Sequence, residues 1–141
     1  MSQDYIDRLV RAYPSISEVW LIGSRANGRA RDTSDWDYMV FADEDLVPSL
    51  RADTSFTAPN IDLLIVNPDR VRFRKPWPEP EGHHKRGWLD ESENGWRWTT
   101  TSQGRAHYRG CEGVDISNPD TWKDDDDPPS TAILVYRRAA T

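Results

Sequence analysis

The chain has 141 residues, a length that suits one domain. Its net charge of −6 and pI near 5.0 argue against a general nucleic-acid coat, though not against a local basic groove. One Cys excludes an internal disulfide framework, and no apolar run approaches the ~20 residues of a membrane span, so the expectation is a soluble, cytoplasmic protein with no signal peptide and no membrane partner.

Ser2 to Tyr13 reads as a helix, with Ser2 as a candidate N-cap, Asp4 in the first turn and Pro14 as the stop. Tyr5, Ile6, Leu9, Val10 and Tyr13 recur on one face at helical spacing. Glu18 to Ile22 is the first predicted strand. The segment from Ser24 to about Arg31 is expected to form a short helix interrupted by Asn27-Gly28, and Trp36 to Phe41 is the second strand. Asp43 to Ala58 is polar, contains Pro48 and is followed by Pro59, which predicts a connection with at most one helical turn. Ile61 to Val66 is the third strand, and its nearly continuous apolar character predicts burial on both faces.

Beyond Asn67-Pro68 the composition shifts. Arg70, Arg72 and Arg74 alternate with Val71 and Phe73, giving either a solvated strand face or a groove for phosphates. Lys75 to Gly82 breaks regular structure. Gly95 to Thr101 predicts a strand with Trp96 and Trp98 on one face, Ser102-Gln103-Gly104 a turn, and Arg105 to Arg109 the returning strand of a hairpin. The two Trp serve either packing or base stacking. Asn118 to Pro129 reads as a loop, with Asp124 to Asp127 as a solvated acidic run that lacks the spaced acids and glycine of a calcium loop. His83-His84 and His107 with Cys111 lack a second ligand pair for zinc. Thr131 to Tyr136 is the strongest remaining strand and is expected to return to the core sheet. The whole of 1–141 therefore reads as a single α/β (α+β) domain. Its small mixed-sheet core spans about 1–68 plus 131–136, and a β-rich, Trp-rich elaboration spans about 69–130.

The stretch Ile22 to Val40, IGSRANGRARDTSDWDYMV, concentrates the chemistry. A Gly23-Ser24 turn follows an apolar strand, and Asp35 and Asp37 stand at the start of the next one. Strand side chains alternate, so Asp35 and Asp37 face the same way, roughly 6.6 Å apart along the backbone. Two such acids repel, and a divalent cation neutralises them best. The turn is not a Walker A loop, since the Gly-Lys-Ser/Thr ending is missing.

Hydrophobic residue, Gly-Ser, a spacer of about ten residues, then Asp-x-Asp among apolar residues closely resembles the signature of the polymerase-β-type nucleotidyltransferase superfamily, over about residues 15–67. The layout is similar to that of the minimal nucleotidyltransferases. The family's third carboxylate lies on a later strand, and Asp62 fits it. The resemblance implies transfer of a nucleoside monophosphate from a triphosphate, ATP first among them, to a hydroxyl. It implies that Asp35 and Asp37 bridge two Mg²⁺ ions (or Mn²⁺), that Asp62 completes the site beside the acceptor, and that Gly23, Ser24 and Arg25 meet the phosphates, with Arg29 and Arg31 as lesser candidates. The acceptor is a protein partner, tRNA or another RNA, or a small molecule. The alternatives are a non-catalytic nucleotide- or RNA-binding protein that keeps the fold, or an antitoxin-like partner-binding protein. Minimal members continue in helices, whereas this chain continues in strands.

Overall fold

The computed structural model describes residues 2–28, 35–43, 45–58, 60–66, 73–74, 76–77, 96–112, 123–124 and 130–139. Arg29, Arg31, Arg70, Arg72, His83, His84 and Asp125 to Asp127 lie outside them.

Helix α1 (Ser2–Ala12) forms as its apolar spacing requires: Tyr5, Ile6 and Leu9 are buried, and the chain turns at Pro14. Strands β1 (Glu18–Ile22) and β2 (Trp36–Phe41) pair antiparallel, and β3 (Ile61–Val66) lies parallel to β2. A parallel neighbour requires the chain to travel back along the strand before re-entering the sheet. That return is made by helix α2 (Leu46–Ala52) and a single 3₁₀ turn, Thr54–Phe56. The segment is therefore more helical than its composition suggests. Pro48 is the third residue of α2, in the first turn, where its missing N–H breaks no bond. Leu46, Val47 and Leu50 are buried, and the α2 carbonyl of Leu50 accepts a hydrogen bond from Trp77 Nε1 at 3.1 Å.

The remaining strands are β4 (Phe73–Arg74), β5 (Trp96–Ser102), β6 (Arg105–Glu112), β7 (Lys123–Asp124) and β8 (Ser130–Arg137). Asp124 thus belongs to a short strand rather than to a loop. The sheet runs β4-β3-β2-β1-β8-β6-β5, with β7 added on β6. Strand β8 returns to the core sheet, antiparallel to β1, and β5–β6 is the expected hairpin with Gly104 at φ 75° in its turn. The hairpin extends the core sheet through β8.

Both faces of the central strands are buried. Tyr38, Val40, Leu63 and Ile65 pack with α1 and α2 in one cluster. Ile22, Met39, Phe41, Leu64 and Val66 point to the other face, where they meet Trp20, Ala106, Tyr108 and Ala132. Trp98 of β5 closes this second cluster, 4.9 Å from the Trp20 ring and 5.2 Å from the Phe41 ring, centroid to centroid. In a flat sheet four strand spacings would separate β5 from β2, about 19 Å. The sheet therefore curls so that β5 and β6 arch over the face of β1 and β2. Register shifts at Val19/Trp20 and Thr100/Ser102 supply irregularities of the kind that sharpen such bending.

Candidate active site

The chain paths of β1, β2 and β3 decide where the acids stand. Ile22, the last residue of β1, pairs with Asp37, and Asp37 pairs with Asp62 across the parallel ladder. Adjacent strands are about 4.8 Å apart, so the two residues are direct neighbours across the ladder. Alternation puts Asp37 with Met39 and Phe41, and Asp62 with Leu64 and Val66, on the face covered by the curl. Asp35 is exposed and immediately precedes β2, on the same side by parity. The Trp36 N–H donates to the Asn60 carbonyl at 2.8 Å, so the two chains are still together at the level where Asp35 enters. Among the described residues no group of three His, Cys, Asp or Glu side chains lies close enough to hold a metal ion. Asp37 and Asp62 are thus a pair by register, with Asp35 at the rim.

Gly23 sits against Asp37. Its φ is +75°, a conformation that L side chains rarely adopt, and a Cβ there would lie 3.2 Å from Asp37 Cγ and 3.3 Å from Asp37 Cβ. The Asp37 side chain therefore lies across the bare Cα of Gly23. No helix begins at Ser24: residues 24–28 form turns instead. The cause is Asn27. The Gly23 carbonyl accepts hydrogen bonds from Ala26 N and Asn27 N, each at 3.1 Å, and from Asn27 Nδ2 at 2.7 Å. A side chain that competes in this way for a backbone carbonyl closes a turn in place of a helix. Asn27 Oδ1 then accepts from Thr131 N at 3.1 Å, which ties the turn to β8. The expected helix N-terminus for phosphates is absent from residues 24–28.

Arg25 is drawn elsewhere. Its guanidinium lies 3.9 Å from the centroid of the Trp36 ring, and Trp36 packs with Tyr38 against the helix-side cluster. By alternation that is the face opposite Asp37. The structure therefore sets Asp37 against Gly23 and pairs it with Asp62, with Ser24 next to Gly23 along the chain and Arg25 over Trp36.

Tyr108 completes the neighbourhood from β6. Burial raises its hydroxyl above the ordinary 10.0; hydrogen bonds from the Gly23 backbone and the Ser130 side chain oppose the rise, and the charge of Asp37 adds to it. The hydroxyl is thus protonated at neutral pH, between the turn and the acid. Tyr108, Ser130 and Asn27 were not evident as site residues in the sequence. Asn27-Gly28 is a turn signature that pointed to one of them, whereas nothing local marks Tyr108.

The polymerase beta nucleotidyltransferase family matches residues 4–75, which include most of α1, the Gly23 turn and all three acids. A crystal structure from Sulfolobus solfataricus, provisionally assigned as a nucleotidyltransferase, is similar at 24% identity and a TM-score of 0.41, covering 48% of this chain. The present chain spans 65% of that chain's length. No curated protein matches the sequence. With more than half of its length in the family's match, and the Gly-Ser turn and acids within it, the chain belongs to the polymerase beta nucleotidyltransferase family.

Proposed function

We propose that the protein transfers a nucleoside monophosphate from a nucleoside triphosphate, with ATP as the first candidate, to a hydroxyl on a protein, an RNA or a small molecule. The observation that carries this reading is the register of Asp37 against Asp62 beside the bare Cα of Gly23. In the reaction the acceptor oxygen bonds to the α-phosphorus, the bond from that phosphorus to the bridging oxygen breaks, and pyrophosphate leaves. The donors available are carboxylate oxygens, hard ligands of the kind Mg²⁺ or Mn²⁺ takes. The Asp37–Asp62 pair, joined by Asp35 from the rim, would hold such ions, which when bound would offset triphosphate charge and ease deprotonation of the acceptor.

The chain's own residues have separate tasks. Asp37 sits at the centre and would orient the triphosphate. Asp62, on the neighbouring strand, would serve the acceptor oxygen. Gly23 leaves room for a phosphate to approach the backbone, and the Ser24 hydroxyl and N–H would donate to it. Arg25 would reach the phosphates only after leaving Trp36.

The test is label transfer from each NTP with Mg²⁺, with and without lysate, using Asp37→Asn and Asp62→Asn beside the parent. Asp37→Asn should lose Mg²⁺–NTP binding and transfer together. Asp62→Asn should bind within a few-fold of the parent and transfer at least ~10²-fold more slowly. Parental transfer by Asp62→Asn would overturn its assignment, and parental metal affinity in Asp37→Asn would overturn the site.

A further inference from the structure

The turn that carries Gly23 and Ser24 is held by strands far along the chain. On one side, Asn27 links the Gly23 carbonyl to the Thr131 N–H of β8. On the other, the Tyr108 hydroxyl of β6 is hydrogen-bonded by the Gly23 backbone and by Ser130, its partner in the β6–β8 register. From that backbone only the N–H can donate. The Tyr108 ring is itself fixed: it is 4% exposed and stacks on Trp98 at 6.2 Å, and Trp98 in turn packs on Trp20 and Phe41. A ring wedged in this way delivers its hydroxyl to one place.

We propose that Tyr108 is a positioning residue for the nucleotide-binding turn, so that β6 and β8 form a wall of the site rather than an appendage beside it. This deepens, and rests on, the nucleotidyl-transfer reading above. Both polar groups of the Gly23 backbone are used within the protein: the N–H by Tyr108, the carbonyl by Ala26 and Asn27. The turn's contribution to a triphosphate then falls to Ser24. Tyr108 decides where Ser24 stands without itself touching the nucleotide.

The experiment compares Tyr108→Phe with Tyr5→Phe. Each removes one hydroxyl and keeps the ring. Tyr5 is equally buried at 4% exposure, but its hydroxyl donates to the Phe56 carbonyl at 2.6 Å on the opposite, helix-covered face. Two quantities are measured: amide hydrogen exchange at Ala26 and Asn27, whose N–H groups bond the Gly23 carbonyl, and the split between KM and kcat for Mg²⁺–ATP. Tyr108→Phe should speed exchange at both amides and raise KM about 3- to 10-fold, the worth of one hydrogen bond, with kcat within about two-fold. Tyr5→Phe should lower the melting temperature and change neither quantity. The proposal is overturned if Tyr108→Phe leaves exchange and KM at parental values, or if Tyr5→Phe reproduces both effects. If the parent binds no nucleotide with any metal, the proposed function itself fails. The exchange comparison then still judges whether Tyr108 holds the turn, and unchanged exchange overturns that claim separately.

Discussion

Gly23→Ala should carry two separable penalties. The first is conformational: at φ +75° a residue with a Cβ is destabilised by about 1–2 kcal/mol. The second is steric. The new Cβ would stand 3.2 Å from Asp37 Cγ and 3.3 Å from Asp37 Cβ, and it would overlap Oδ2. The three nearest atoms all belong to the Asp37 side chain, so the carboxylate must rotate away. Forcing a side chain off its rotamer adds roughly 0.5–1.5 kcal/mol, for a total of about 1.5–3.5 kcal/mol. Gly28 provides the control. Its φ is +73° and a Cβ there would meet nothing within 4 Å, so Gly28→Ala incurs the first penalty alone. Urea denaturation of both variants gives the difference, which reports the displacement of Asp37. In an Asp37→Ala background most of that difference should vanish, because Cγ and Oδ2 are gone. The displaced carboxylate should also weaken Mg²⁺–NTP binding in Gly23→Ala and leave it intact in Gly28→Ala. Equal destabilisation by the two substitutions, with nucleotide binding preserved in both, would refute the claim that Asp37 rests on Gly23.

Ser24→Ala should weaken NTP binding by on the order of 1–2 kcal/mol, one charge-assisted hydrogen bond, and a titration showing no loss would move the phosphates off the turn. Trp98→Ala removes the ring that touches Trp20, Phe41 and Tyr108, and should destabilise the chain by about 3 kcal/mol; a urea midpoint near the parental one would mean that the curl does not depend on it. Burial, then the hydrogen bond to Asp53 and its charge, push the Tyr13 hydroxyl from the ordinary 10.0 up to about 12. A folded value above the unfolded one means stability that is present below pH 10.0 and lost as pH climbs toward about 12. Tyr13→Phe should flatten that alkaline decline, and identical declines in denaturant titrations of the two proteins would rule the linkage out.

Much of the fold was legible because it rests on local periodicity. The apolar runs at Val19 to Ile22, Tyr38 to Phe41 and Leu63 to Val66 are strands with the expected bounds, and the strand near Thr131 does return to the core. Alternation alone puts Asp35 and Asp37 on one face, the family resemblance assigns Asp62, and the register pairs Asp62 with Asp37. What was not legible depended on partners distant in sequence or on a local competition. Pro48 reads as a breaker, yet at the third position of α2 it is harmless. Asn27 reads as a weak point in a helix, and its side chain instead shares the Gly23 carbonyl with the Ala26 and Asn27 N–H groups in a turn. The placement of Arg25 over the Trp36 ring also depends on packing rather than on its position after Ser24. Tyr108 meets Gly23 only because the sheet curls, and curvature is written in bulges and ring packing rather than in any short motif.

The pairing of β1 with β8 has a consequence for how the chain acquires its structure. Strand β1 lies between β2, which follows it closely, and β8, which is made more than a hundred residues later. While the chain emerges from the ribosome, β1, β2 and β3 can associate early, but one edge of β1 stays open until Ser130–Arg137 arrive. An open apolar edge is a template for pairing with another nascent chain, and a contact of such long range forms slowly. Yield in the cell should therefore depend on chaperones and on the speed of translation through the second half. Truncation before Ser130 should produce insoluble protein even though it retains every acid of the site.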